Sequence, residues 1–217
     1  MTPYYRIFCS PADVTHECID IDDKRLFELL RRPPRTRDAG WVIWGADEII
    51  RSDEGLQAIG IDGRRLFVFK NGHMEYWEPC LSDTFQWSQN ATEQQMHPWL
   101  YPYAICELPI NFLTLANKVY ELAGLDCDVT VVEAFYHIKG FILMPYRPRS
   151  LAFIQGGGSS VKPYGRDILK TRPVKGRPPF QPEHTAFELV KQVYHEFGYG
   201  AEDIYLFDEH GDFHPGA

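Results

Sequence analysis

Nothing in this chain approaches the roughly eighteen consecutive apolar residues of a membrane-spanning helix, which excludes that class of membrane protein. Residues 1–10 lack the basic start, apolar run and small-residue cleavage site of a secretory signal, so the expected location is the cytoplasm. Cysteine is sparse: Cys9, Cys18, Cys80, Cys106 and Cys127 are odd in number, widely spaced and contain no Cys-x-x-Cys pair. That spacing argues against zinc-ribbon and dithiol motifs and for buried free thiols. Also missing are a Gly-x-Ser-x-Gly elbow, a His-Glu-x-x-His zinc motif and any internal repeat. No cofactor is expected, and no nucleophile, base and stabiliser set can be read from the residues.

Much else is present. The 217 residues are 44% hydrophobic, enough for a sizeable core, and twelve Tyr, fourteen Phe and five Trp suit sheet faces better than a helical bundle. The reading is a single α+β domain over 1–217, with mainly antiparallel hairpins packed by two or three helices. Charge is distributed unevenly. Between Pro145 and Pro182 lie Arg147, Arg149, Lys162, Arg166, Lys170, Arg172, Lys175 and Arg177 against Asp167 alone. This Gly/Pro-rich segment carries +7 in a chain of net charge −8, leaving −15 for the rest. Such asymmetry points to a polyanion or an acidic protein docking on one region. The cations are interleaved with Tyr146, Phe153, Tyr164 and Phe180, a mixture that can neutralise phosphates and stack bases. The competing reading is a linker whose charge pairs with the acidic remainder of the chain.

Tyr4–Cys9 reads as a strand, and Asp22 as the cap of a helix over 24–31 that ends at Pro33-Pro34. A short strand is expected over 41–44 and a loop or turn of helix over 47–55. Leu66–Lys70 and His73–Trp77 form a hairpin around Asn71-Gly72. A two-residue turn there predicts Phe67, Phe69, Met74 and Tyr76 on one core face, with Leu66, Val68, Glu75 and Trp77 on the other. A strand is expected over 84–88, a loop over 92–102, a buried helix over Pro109–Ala123 stopped by Gly124, and a strand pair over 129–138 and 141–144. The last unit is a helix opening on a Thr185-x-x-Glu188 capping box and ending before Gly198, then a strand over 204–207.

Three constellations could carry chemistry. Gln155-Gly156-Gly157-Gly158-Ser159-Ser160 has the glycines of a phosphate loop, but Val161-Lys162-Pro163 follows where a P-loop needs Gly-Lys-Ser/Thr opening a helix. Glu133, His137 and Lys139 would share a strand face as a metal-dependent nuclease or related hydrolase might require, although Asp126 and Asp128 would fall on the other face. Asp208, His210, Asp212 and His214 have the ligand types for a divalent metal, at a chain end where a supporting shell is thin.

Three stretches carry a specific likeness: Arg64–Pro79 (RRLFVFKNGHMEYWEP), His97–Ala104 (HPWLYPYA) and Lys139–Tyr146 (KGFILMPY). In these, most of the chain resembles the C-terminal region of bacterial proteins that carry an N-terminal AlbA_2 (Schlafen-like) nucleic-acid-binding domain. The resemblance implies an accessory domain of a nucleic-acid-linked, defence-related system, acting beside a separate effector protein. It carries over no catalytic residue, because the family's functional motifs lie in the N-terminal domain. The expected function is a non-enzymatic module that contacts nucleic acid or an acidic protein partner through its basic segment; the alternative is the hydrolase.

Overall fold

The computed structural model describes residues 1–37, 40, 48–60, 62–86, 98–143 and 163–215. The expected strand over 41–44, the glycine run over 155–160, and Arg147, Arg149 and Lys162 lie outside them. The fold is α+β, as the composition leads one to expect. Strand β1 (Tyr4–Pro11) runs through the middle of a mainly antiparallel sheet whose order is β10-β7-β1-β5-β4-β3-β2, with β9 also paired to β7. Its members are β2 (Glu48–Arg51), β3 (Gly55–Ile59), β4 (Arg65–Phe69), β5 (Met74–Pro79), β7 (Val129–Tyr136), β9 (Ile168–Lys170) and β10 (Val174–Gly176). Two short strands, β6 (Trp99–Leu100) and β8 (Ile142–Leu143), pair in parallel apart from it. The helices are α1 (Lys24–Arg31), α2 (Pro102–Ala123) and α3 (Pro182–Glu196).

β1 alternates strictly between half-exposed and buried side chains, so Tyr5, Ile7 and Cys9 face inward. The register extends that inner face through Phe135, Glu133 and Val131 of β7, and Tyr76 and Met74 of β5. All of these but Glu133, which is buried among them as a polar group, join the buried residues of α2 and α3 in one contiguous hydrophobic core. α2 is buried on every side from Ala104 to Leu113, matching the all-round apolar pattern expected of it. It begins at Pro102, seven residues earlier than expected, and accommodates Pro109 inside. That proline lacks the N–H of an interior turn, which is why it reads as a helix start in sequence. Gly124 ends the helix at φ 62°, as anticipated. α1 has its expected span and buries Leu26 and Leu30, but its cap is Asp23, whose carboxylate accepts the Arg25 N–H.

Several expectations need correction. The hairpin loop has three residues, Lys70-Asn71-Gly72: the Phe69 N–H donates to the His73 carbonyl at 2.9 Å, and only Gly72 takes positive φ, 82°. The extra residue shifts β4 by one, and a one-residue slip exchanges the faces. Leu66, Val68, Met74 and Tyr76 are therefore buried, while Phe67, Phe69, Glu75 and Trp77 line the outer face. The longer loop is held from outside: Lys70 O accepts the N–H groups of Cys18 and Ile19, and the Tyr120 hydroxyl donates to Gly72 O at 3.0 Å. β8 does not fold back on β7 but pairs with β6. Where a loop or turn of helix is expected, Glu48–Arg51 form the edge strand β2, and Gly55–Ile59 add β3, for which the sequence gives no expectation. Residues 84–86 form a turn rather than a strand, and in place of a strand at 204–207 there is a single bridge between Phe207 and Phe213. α3 begins at Pro182, so Thr185 lies inside it rather than capping it.

Candidate functional site

Residues 168–176 of the basic segment form a sheet edge, while the described residues on either side of it, 163–167 and 177–181, lie outside any strand or helix. β9 and β10 both lie along β7, joined by Thr171-Arg172-Pro173. Thr171 secures this junction: its N–H donates to Glu133 O at 2.9 Å, and its hydroxyl accepts the Glu133 N–H at 3.0 Å. Arg172 is fixed by its main chain, its N–H donating to Gln192 Oε1 of α3 at 2.7 Å. The residue is exposed to solvent. Lys170 lies opposite Ala134 and Lys175 opposite Thr130, on the sheet face away from the helices.

The five described cations fall into two groups. Arg166 pairs with Glu196 and lies over the Tyr164 ring, and Arg177 pairs with Asp126 at 2.8 Å. Those two support the reading in which the segment's charge is answered within the chain. Lys170, Arg172 and Lys175 are exposed and make no ion pair among the described residues. Beside them, a cleft of about 610 Å³ runs between the strand junction and α3, bordered by Lys170, Arg172 and Lys191 and also by Glu188 and Glu196, so its lining is mixed in charge. Unpaired cations on a strand edge also discourage edge-to-edge aggregation, and Pro173 serves the same end.

Two aromatics of the segment are not available to a partner. Tyr164 is 5% exposed and packs on Phe197 with ring centroids 5.0 Å apart; Phe180 is 6% exposed. Phe180 is pinned to α2 by Asn117, which accepts its N–H at 2.6 Å and donates to its carbonyl at 3.1 Å. Neither can stack on a base or anchor a protein.

The hydrolase constellation does not assemble. Glu133 is 0% exposed on the inner face of β7. His137 sits past the strand end at φ 59°, its Nδ1 3.0 Å from Asp167, and Lys139 is exposed in the following turn. The left-handed residue breaks the two-residue alternation on which a shared face depends. At the C-terminus Asp208 accepts the N–H groups of His210 and Asp212 and faces His214 Nε2 at 3.1 Å. The Asp212 N–H and His214 ring, with the His210 N–H, hold its carboxyl below the ordinary carboxylate value, as in a local turn. Among the described residues no three His, Cys, Asp or Glu side chains come together as metal ligands. No described helix is long and apolar enough to cross a membrane.

Sequence reasoning missed the outer face of the sheet. Tyr4 is sandwiched between Trp77 and Tyr136 at 5.0 and 4.6 Å, and Arg6 lies over Phe8 and Trp77. At the centre Glu75 accepts from Arg6, His73 Nε2 (2.7 Å) and Trp77 Nε1 (2.8 Å). Burial alone would raise its carboxyl, but these three donors and the guanidinium charge bring it down to about 2. Both faces of the Tyr4 ring are taken by its neighbours, so this array stiffens the sheet through cross-strand contacts and leaves that ring no face for a base. The signal was legible in the alternation of Tyr4, Arg6 and Phe8, had the β4 register been right. No protein-family model, no curated protein and no solved structure matches this chain.

Proposed function

We propose that this chain is a non-enzymatic binding module that contacts the phosphate backbone of nucleic acid through the edge formed by β9 and β10. The observation that carries the reading is the set of three exposed cations that have no ion-pair partner among the described residues, Lys170, Arg172 and Lys175, projecting from one short edge of a chain of net charge −8. With the segment's described aromatics, Tyr164 and Phe180, buried, the exposed charge suits a contact that neutralises phosphates and reads no sequence. A protein partner would draw on a few large buried anchors, and the aromatics that would supply them, Tyr164 and Phe180, are committed to the core. The likeness to the C-terminal region of AlbA_2-containing bacterial proteins belongs to the same proposal: an accessory domain of a nucleic-acid-linked system, working in the cytoplasm beside a separate effector.

The test is a fluorescence titration of labelled single-stranded DNA, double-stranded DNA, RNA and polyglutamate at low salt. Nucleic acid is expected to bind without being cleaved in Mg²⁺ or Mn²⁺, and the Lys170→Ala/Arg172→Ala/Lys175→Ala variant is expected to bind at least tenfold more weakly. Binding of polyglutamate alone moves the reading to an acidic protein partner, and equal affinity of the triple variant removes the edge from it.

A further inference from the structure

We propose that Glu133 is a proton-controlled latch on the β9–β10 edge: with its carboxyl neutral the edge stays docked on β7, and loss of that proton releases the edge. Such a latch would act on the edge whatever the edge binds. Glu133 is fully buried, and neither its carboxylate oxygens nor the nearby Tyr5 hydroxyl meets a partner in good hydrogen-bond geometry. The register places it opposite Ile7 on the helix-covered face. From β1 the Tyr5 hydroxyl is turned toward it, with Tyr76 and Glu78 beyond; from α2 it senses Cys106, which has Glu107 and Tyr194 of α3 beside it. Leu169 of β9 is apolar. The cations nearest these groups, Arg64 and Arg37, are paired with Glu78 and Glu107, and none acts on Glu133 itself.

A carboxylate in such surroundings has no partner for its charge, so burial pushes its pKa up to about 8, with Tyr5 pulling weakly the other way. Above that pH the charge must reach water. On one side of β7 lies β1, in register over eight residues from Tyr4 to Pro11. On the other are β9 and β10, three residues each, joined by Thr171. The shorter ladder opens at lower cost, and Thr171 is bonded to the main chain of Glu133 itself, its hydroxyl also reaching Glu133 O at 3.2 Å. Water reaching the carboxyl from that side loosens Thr171 and with it the strand ends that carry Lys170 and Lys175.

Hydrogen exchange of the full chain, at pH 6.5 and pH 9 and corrected for intrinsic exchange rates, tests this. In the wild type, the amides of residues 168–176 are expected to lose at least tenfold more protection at pH 9 than those of β1 and β5, whose fall follows the loss of global stability; in Glu133→Gln the edge is expected to be equally protected at both. Edge protection independent of pH in the wild type, protection falling equally across the whole sheet, or the same fall in Glu133→Gln would each overturn the latch. If Glu133→Gln does not fold, infrared spectroscopy of the wild type decides: a protonated-carboxyl band present at pH 7 and lost around pH 8 supports the latch, and its absence at pH 7 overturns it.

Discussion

Glu75 and Glu133 flank the same strand, β1, on opposite faces of the sheet, and their surroundings drive their carboxyls in opposite directions. Glu75, held at about 2 by its three donors, contributes stability that is present above its unfolded value of 4.5 and is lost as pH falls toward 2. Its contribution is on the order of 3 kcal/mol. Glu133, raised from 4.5 to about 8 by burial, binds its proton more tightly when folded. Its effect is absent below pH 4.5 and grows into a loss on the order of 4 kcal/mol by pH 8. Together the two predict that stability declines in acid below pH 4.5 and again from about pH 5 to 8. Urea unfolding across this range checks it: Glu133→Gln should flatten the alkaline limb and leave the acid limb, and an unchanged alkaline limb would contradict the assignment. Gly72 gives a second prediction at this scale. Its φ is 82°, and a Cβ there would lie 3.0 Å from Cys18 Sγ and from Pro11 Cγ. Gly72→Val should therefore cost more than about 1–2 kcal/mol, read as a lowered urea midpoint at unchanged slope.

Among the elements, the last helix and the edge strands are tied together by a few side chains that bond main-chain groups. Asn117 of α2 satisfies both the N–H and the carbonyl of Phe180 just before α3 begins. Asn117→Ala leaves those two groups unpaired and is predicted to destabilise the protein by about 2–3 kcal/mol, with exchange rising first at 177–181. Wild-type protection in that variant would show that Phe180 is held by packing alone. How much of this architecture the sequence discloses depends on the range of the forces that set each element. α1, the end of α2 at Gly124, and the strands β1, β4, β5 and β7 follow from local periodicity and stop signals. The hairpin register does not, because Cys18, Ile19 and Tyr120, far away in sequence, hold the loop one residue longer than Asn-Gly alone prefers. The basic cluster was legible as charge, but its strand character was not: three-residue ladders against β7 leave no periodicity to find. The core positions of Tyr164 and Phe180 were equally hidden, since an aromatic beside cations reads the same whether it faces solvent or helix.

At the scale of the whole molecule, charge is separated but partly answered. Arg166 and Arg177 are paired within the chain, leaving Lys170, Arg172 and Lys175 as the described cations of the segment open to a partner. The central claim is that these three neutralise nucleic-acid phosphates, and the slope of log K against log salt measures that most directly, because each neutralised phosphate releases condensed counterions and adds about −0.7 to −0.9 to it. The slope should become shallower by about two to three units when Lys170, Arg172 and Lys175 are replaced together by Ala, while the urea midpoint stays unchanged because exposed charges contribute little to stability. A wild-type slope near zero, or the same slope in the wild type and the triple variant, would contradict the account.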